Sequence, residues 1–266
     1  MTEDRGVWVY AVARGIEEDW LAGISGMDGQ PVRVVTAAGL AAAVTTVSLA
    51  EFGADALRRH LEDMAWLESA ARAHHQVIES VAAHGPVVPL RLATVYRDDP
   101  GVAELLAGRQ SDFAGALDRV TGRAEWGVKV FPASQPEPAP AEPAGTGAAG
   151  SRAAGAGAAY LSRRRQQLSA AEQSRQAAAA SAEHIHAMLA RLAAAAQMRA
   201  PQAPQLSGLR EQMILNGAYL VDENRSEAFT AAAADLAAGC SGVRVELTGP
   251  WPPYSFAAVP EPQAAG

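Results

Sequence analysis

Near its middle this sequence loses the residues a folded core needs. From Pro132 to about Ala158 the strong apolar residues give way to Pro136-Glu137-Pro138-Ala139-Pro140-Ala141-Glu142-Pro143 and then to Gly, Ala and Ser. Such a composition cannot bury enough apolar surface to offset its conformational entropy. It reads as a disordered or semi-extended linker. Strong core formers concentrate on either side, in Val7–Val12, Val32–Leu49, Leu57–Leu92 and Val243–Val259. The 266 residues therefore divide into two modest domains. The expected boundaries are residues 1–131, a linker at 132–158, a smaller domain at 159–260 and a disordered tail at 261–266.

In the first part, Gly6–Ala13 reads as a strand. Both parities are apolar, so both of its faces are expected to be covered. Val32–Val35 and Leu40–Ser48 follow as strands joined tightly at Ala38-Gly39. Leu57, Leu61, Met64, Leu67, Ala71, His74, Ile78 and Val81 recur at spacings of three and four. They predict one long helix from about Ala54 to Ala83, ended by Gly85-Pro86. Val87–Tyr96 is a third strand region. Asp98-Asp99-Pro100 caps a helix whose buried side is Val102, Leu106, Phe113, Leu117 and Val120. Thr121-Gly122 stops it, and Glu125–Phe131 closes the domain as its last strand. With helices on one face of a mainly antiparallel sheet, the expected fold class is α+β, a ferredoxin-like sandwich with an altered start.

The second part opens with an alanine-rich helix from Tyr160 to about Arg199. Leu161, Leu168, Ile185, Met188, Leu189 and Leu192 give it a broken apolar stripe. So small a contact face either packs closely on another helix or projects into solvent. Ser207–Val221 reads as a strand and Ser226–Ala238 as a short helix with Phe229 and Leu236 inward. Val243–Leu247 alternates cleanly against Arg244, Glu246 and Thr248, the pattern of a half-buried strand.

The formal net charge of −7 disfavours general nucleic-acid binding and attraction to anionic lipid. No apolar run approaches the ~20 residues a membrane helix requires. The acidic start Met1-Thr2-Glu3-Asp4 lacks the pattern of a signal peptide, and Cys240 is the single cysteine. A cytoplasmic protein without cofactor or metal is expected, with Cys240 as small apolar filler beside a turn.

Motifs for chemistry are weak. None of the six histidines belongs to an H-E-x-x-H helix. His74 lies on the apolar stripe and reads as a core or interdomain histidine making one hydrogen bond. His75 points outward, and His184 and His186 read as solvated. The glycines of Gly145–Gly157 lack the strand and the Lys-Ser/Thr of a P-loop, and no G-x-S-x-G elbow occurs. Glu125 either pairs across domains with Lys129 or Arg91 or is a surface charge beside a turn. Arg163-Arg164-Arg165, with Arg152 upstream, either docks an acidic surface or forms the solvated first turns of the long helix.

The segment Leu247-Thr248-Gly249-Pro250-Trp251-Pro252-Pro253-Tyr254-Ser255-Phe256 closes a strand with a rigid aromatic corner. Its prolines restrict the backbone, so Trp251, Tyr254 and Phe256 are held at fixed angles. The corner either locks back onto the second domain or faces a partner, where rigid aromatics make good anchors.

Several segments, in order, resemble the gas vesicle protein F/L family. They are Val7-Trp8-Val9-Tyr10-Ala11-Val12, Ala71-Arg72-Ala73-His74-His75-Gln76-Val77-Ile78, Val88-Pro89-Leu90-Arg91-Leu92-Ala93-Thr94-Val95-Tyr96 and Glu125-Trp126-Gly127-Val128-Lys129-Val130. Tyr160-Leu161-Ser162-Arg163-Arg164, Asn216-Gly217-Ala218-Tyr219-Leu220-Val221 and Leu247–Phe256 complete the set. One departure stands at Leu92-Ala93, where the family usually has Phe-Gly.

The resemblance implies a ferredoxin-like N-terminal domain and a smaller α+β C-terminal domain with a long coiled-coil-like helix. It implies a minor, non-enzymatic gas vesicle component that binds the very hydrophobic major shell protein, works beside other accessory proteins, and acts in nucleation or early assembly. The expected mechanism is capture of apolar surface by a concavity between the domains or by an exposed strand edge. Arg91, Glu125, Lys129, Arg163 and Arg164 are the candidate contacts, and His74, Pro89, Trp251, Pro253, Tyr254 and Phe256 are candidate structural residues. An enzyme using His74 and Arg91 is the alternative. It requires a pocket with convergent polar groups, where the assembly role requires an accessible apolar surface instead. A structural component of the shell would self-polymerise.

Overall fold

The structure is a computed structural model that describes residues 4–133, 153–200 and 213–259, with side chains of the long helix from residue 160 onward. The expected linker between 134 and 152, the start of the strand expected from Ser207, and the tail at 261–266 lie outside the described residues. Backbone contacts divide the chain into two units. The first draws on residues up to 126, on 220–226 and on residues from 249 onward; the second on 127–219 and 227–248.

Unit one is built around β1 (Arg5–Ala13), every residue of which is buried from Gly6 onward. Antiparallel β3 (Leu40–Ser48) pairs with one side of it, and β2 (Val32–Ala37) pairs with β3. The two-residue connection has Ala38 at φ 53° and Gly39 at φ 74°, the left-handed pair that matches the twist of a hairpin. The other side of β1 takes two short strands, β4 (Val88–Pro89) and β5 (Val95–Tyr96). The single strand expected over Val87–Tyr96 is thus interrupted. Ala93 sits at φ 67°, a conformation no strand continues through.

A bulge between Val9 and Ala11 shifts the side-chain parity of β1. Trp8 and Tyr10 before it, and Ala11 and Ala13 after it, therefore join one cluster with Ala43, Val47, Val77, Ile78 and Val81. That cluster packs α3 (Met64–Ala82) on one face of the sheet. The opposite face carries α4 (Asp99–Gly108). Val32 and Val34 pack on the α3 side, whereas Arg33 between them bonds Asp99 of α4 at 2.7 and 2.9 Å. The expected one-face sandwich is therefore corrected to helices on both faces. The reason is visible in β1 and β3, which are apolar at both parities.

The helix expected over Ala54–Ala83 is divided into α1 (Leu49–Phe52), α2 (Ala54–His60) and α3. Asp63 ends the periodicity locally. Its carboxylate accepts from Ala65 N at 2.9 Å and Trp66 N at 3.3 Å, an N-cap that starts a new helix. Leu61 and Met64 flank that break and are exposed rather than buried. The Asp98 cap is borne out, accepting from Gly101 N at 2.9 Å. The helix it starts breaks at Arg109, and α5 (Gln110–Val120) follows, with Val102, Leu106, Phe113, Leu117 and Val120 all buried.

Unit two carries a four-stranded sheet in the order β7-β8-β6-β9, from β6 (Arg123–Pro132), β7 (Ala195–Met198), β8 (Leu215–Asp222) and β9 (Val243–Trp251). The expectation that Glu125–Phe131 completes the first sheet is corrected: β6 is an inner strand of this second sheet. The long helix α6 runs Ala153–Ala190, and the residues expected to continue it to Arg199 include β7 instead. Its buried seam is Ala178, Ala182, Ile185 and Leu189, at spacings of four, three and four. Tyr160, Leu161 and Leu168 are exposed. In α7 (Ser226–Gly239), Phe229 is buried as expected, but Ala233 rather than Leu236 joins it. The alternation of β9 is blurred, with Val243 buried and Arg244 through Leu247 half-buried. The Arg244 guanidinium covers the Phe131 ring at 4.5 Å from the centroid.

A groove in the first unit

Within unit one, α3, the turn after β4 and the aromatic corner meet around an open groove of about 590 Å³. His74 forms its inner edge. The Trp8 indole N–H donates to His74 Nδ1 at 3.0 Å, and His74 Nε2 lies 3.1 Å from the Leu90 carbonyl. Indole only donates and a carbonyl only accepts, so the ring is neutral with its proton on Nε2. Burial lowers its pKa to about 4, against the opposing pull of the Leu90 carbonyl, with the neighbouring His75 charge lowering it further. Two bonds thus replace the single one expected. They tie β1, α3 and the Leu90 turn together, which fixes the groove's floor.

His75 does not point freely outward, as its helix position suggested. It is half-buried, with Nδ1 2.6 Å from the Tyr254 hydroxyl and Nε2 3.1 Å from Glu79. The aromatic corner is therefore fastened to α3 of the first unit. Pro252, Pro253 and Phe256 are buried, whereas Trp251 and Tyr254 remain partly exposed. Arg119 Nε donates to the Phe256 carbonyl at 3.1 Å. The Gly249–Pro250 peptide is cis. Gly249 has φ 125°, and an added Cβ would lie 2.9 Å from the Glu125 carbonyl oxygen, so only glycine fits.

Glu125 is buried, and its carboxylate accepts the Ser255 N–H at 2.7 Å together with the Ser255 hydroxyl. The side chain clamps the corner. Of the other candidate contacts, Arg91 lines the groove and is exposed; the candidate structural residue Pro89 also lines it and is half-buried. Lys129 is half-buried on β6, and Arg163 and Arg164 are exposed on α6; all three belong to unit two. His186, expected to be solvated, is held 2.9 Å from the Tyr219 hydroxyl, while His184 is exposed. Burial pushes the Tyr219 pKa up to about 12.

Sequence reasoning missed Tyr96 and Arg109, which also line the groove. Arg109 bonds Asp112 through Nε at 3.1 Å and Nη2 at 2.9 Å. No motif marks Arg109, which the α4–α5 break brings here, and Tyr96 closes the Val88–Tyr96 segment without a signal of its own. Burial raises the Tyr96 pKa, and the Arg109 charge opposes that shift. Burial also raises that of Tyr254, helped by the Glu79 and Glu125 charges. The phenol accordingly stays protonated at neutral pH. The two histidines and Tyr254 are committed to holding shape. The groove's surface is mainly apolar, with Arg91 and Arg109 among its lining residues.

Comparison with known proteins agrees with these segments. Residues 6–258 match the family model described as gas vesicle synthesis protein GvpL/GvpF. The chain is 41% identical to gas vesicle protein L of Streptomyces sp. (strain CB03234), over 98% of this chain and 96% of that protein. It is 26% identical to gas vesicle protein F of the same strain, over 94% and 98% respectively. The fold is similar to the crystal structure of the gas vesicle protein GvpF from Anabaena sp. PCC7120, with a TM-score of 0.64 at 19% identity, covering 97% of this chain and 98% of that one. With the family model matched over residues 6–258 and a relative 41% identical along nearly the whole length, this chain belongs to the gas vesicle synthesis protein GvpL/GvpF family.

Proposed function

We propose that this protein is a minor, non-enzymatic assembly factor that binds the major gas vesicle shell protein and supports nucleation or early shell growth. It acts at the gas vesicle, in the cytoplasm, beside other accessory proteins. The observation that carries this reading is the family match from residue 6 to 258, which spans both units. The groove supports binding over catalysis. Its most perturbed groups, His74 and Tyr254, are locked in the neutral state by burial and hydrogen bonds, where a general acid or base needs a pKa near the working pH. The assembly role calls for an accessible apolar surface in place of a pocket of convergent polar groups, and the groove's surface is mainly apolar, which suits capture of an apolar subunit. The ferredoxin-like and coiled-coil-like descriptions of the two parts belong to the same reading.

The test is co-expression of this chain with the major shell protein, followed by co-purification. The expected result is recovery of both in one complex. Two folded proteins that do not associate would overturn direct capture.

A further inference from the structure

The buried seam of α6 has a register that its exposed half continues. Ala178, Ala182, Ile185 and Leu189 are buried at spacings of four, three and four, the a/d spacing of a heptad repeat. Counted back at the same spacing, the seam passes through Arg175, Ala171, Leu168, Arg164 and Leu161. Leu161 and Leu168 stand one heptad apart and are 57% and 55% exposed, and every residue from 160 to 173 is exposed. Two leucines held at seam positions form an apolar stripe that only a second helix or sheet could bury. The charge on this stretch says what fits. The chain as a whole has a net charge of −7, yet residues 160–177 hold four arginines and one glutamate. Glu172 is taken by Arg175 at 2.5 Å and by Gln176 at 3.1 Å. Arg164 on the seam and Arg165 beside it are exposed and pair with none of the described residues. A wholly apolar partner would cover Arg164 without compensating its charge, which is strongly unfavourable. A second copy docking through the same stretch would bring more arginine and no uncommitted carboxylate. A helix that carries both aliphatic and acidic residues meets both demands.

We propose that the Leu161–Arg175 stretch of α6 is the docking face for an acidic amphipathic helix of a partner protein, which packs its aliphatic side chains on Leu161 and Leu168 and sets its carboxylates against Arg164 and Arg165. The leucines supply the attraction by burial. The arginines fix register and reject basic helices, as charged residues on and beside a coiled-coil seam do. The inference goes beyond capture of the shell protein, since it names an acidic, helical partner chemistry and stands whichever protein carries that helix.

The probes are two synthetic heptad peptides with leucine at a and d, one carrying Glu at e and g and the other Lys. Each is titrated against the full chain by fluorescence anisotropy. The acidic peptide is expected to bind at least about tenfold more tightly than the basic one. Replacing Leu161→Gln and Leu168→Gln together should weaken it at least about tenfold. Replacing Arg164→Glu and Arg165→Glu together should reverse the preference toward the basic peptide. All four positions are exposed, so these variants keep the fold, which circular dichroism and thermal melting check. Equal binding of the two peptides, or no binding of the acidic one by the folded wild type, would overturn the proposal and leave shell-protein capture untouched. A dimer seen by sedimentation in the wild type and abolished by the leucine variant would give the face to a second copy and overturn it as well. Binding that appears only after Glu137→Gln and Glu142→Gln would mean that the chain's own acidic segment takes the face, with the same consequence.

Discussion

Trp8 and His74, sixty-six positions apart, share a 3.0 Å hydrogen bond in which the indole can only donate and the imidazole nitrogen must accept. Their rings also meet edge to face, with centroids 5.9 Å apart. The pair couples the central strand to α3, and through the Leu90 carbonyl it also holds the groove turn.

That bond makes stability depend on pH. The folded pKa of His74 is about 4, below the ordinary value of 6.5. Between those values the unfolded chain binds a proton that the folded chain refuses. The contribution is therefore fully present above pH 6.5 and is lost as pH falls toward 4, by up to roughly 3 kcal/mol. Urea unfolding at pH 7 and pH 4.5 is expected to show this loss in wild type. His74→Phe should reduce the difference while lowering stability at pH 7 by about 2 kcal/mol, since it leaves the indole N–H and the Leu90 carbonyl unpaired. An identical pH dependence in both proteins would contradict the assignment.

Glu125 holds the corner through Ser255. Glu125→Ala removes the acceptor for a part-buried N–H and hydroxyl and is expected to cost about 2 kcal/mol. The loss should be local first. Limited proteolysis would show earlier cleavage in residues 249–259 before the global melting transition moves.

Gly249 is the hinge of the same corner. Gly249→Ala places a side chain at φ 125° against the Glu125 carbonyl, with an expected loss of about 1–3 kcal/mol in thermal melting. Gly15→Ala, where a Cβ meets nothing within 4 Å, should stay near wild type.

Tyr254 ionises late. Burial and the Glu79 and Glu125 charges raise its folded pKa above the ordinary 10.0, so its contribution is present below pH 10 and is lost as pH rises through the folded value. In an absorbance titration at the phenolate band, Tyr254→Phe should remove a late-titrating component and leave the early one unchanged. Loss of an early component instead would place Tyr254 in solvent.

The seam of α6 separates a packed half from a bare one. Ile185→Ala is expected to cost about 2–5 kcal/mol, because Ile185 is fully buried. Leu161→Ala and Leu168→Ala, at exposed positions, should stay within about 0.5 kcal/mol. Equal losses would mean that the bare half is covered as well.

The sequence by itself determined what local chemistry decides. The Ala38-Gly39 turn, the Asp98 cap, the two-sided burial of β1 and the buried stripe of α4 and α5 each follow from residues a few positions apart. The ordered motifs also carried the family. Three features are not of that kind. Asp63 divides a helix whose apolar spacing runs straight past it, because a single capping carboxylate outweighs periodicity. The strand from Glu125 joins the second sheet because a strand's partner is set by long-range pairing, not by its own pattern. Tyr254 reaches His75 across 179 positions and Ser255 reaches Glu125 across 130. No local signal encodes those distances. Only the tertiary structure brings the corner to α3, makes fasteners of His74 and His75, and places Arg91 in the lining of an apolar groove.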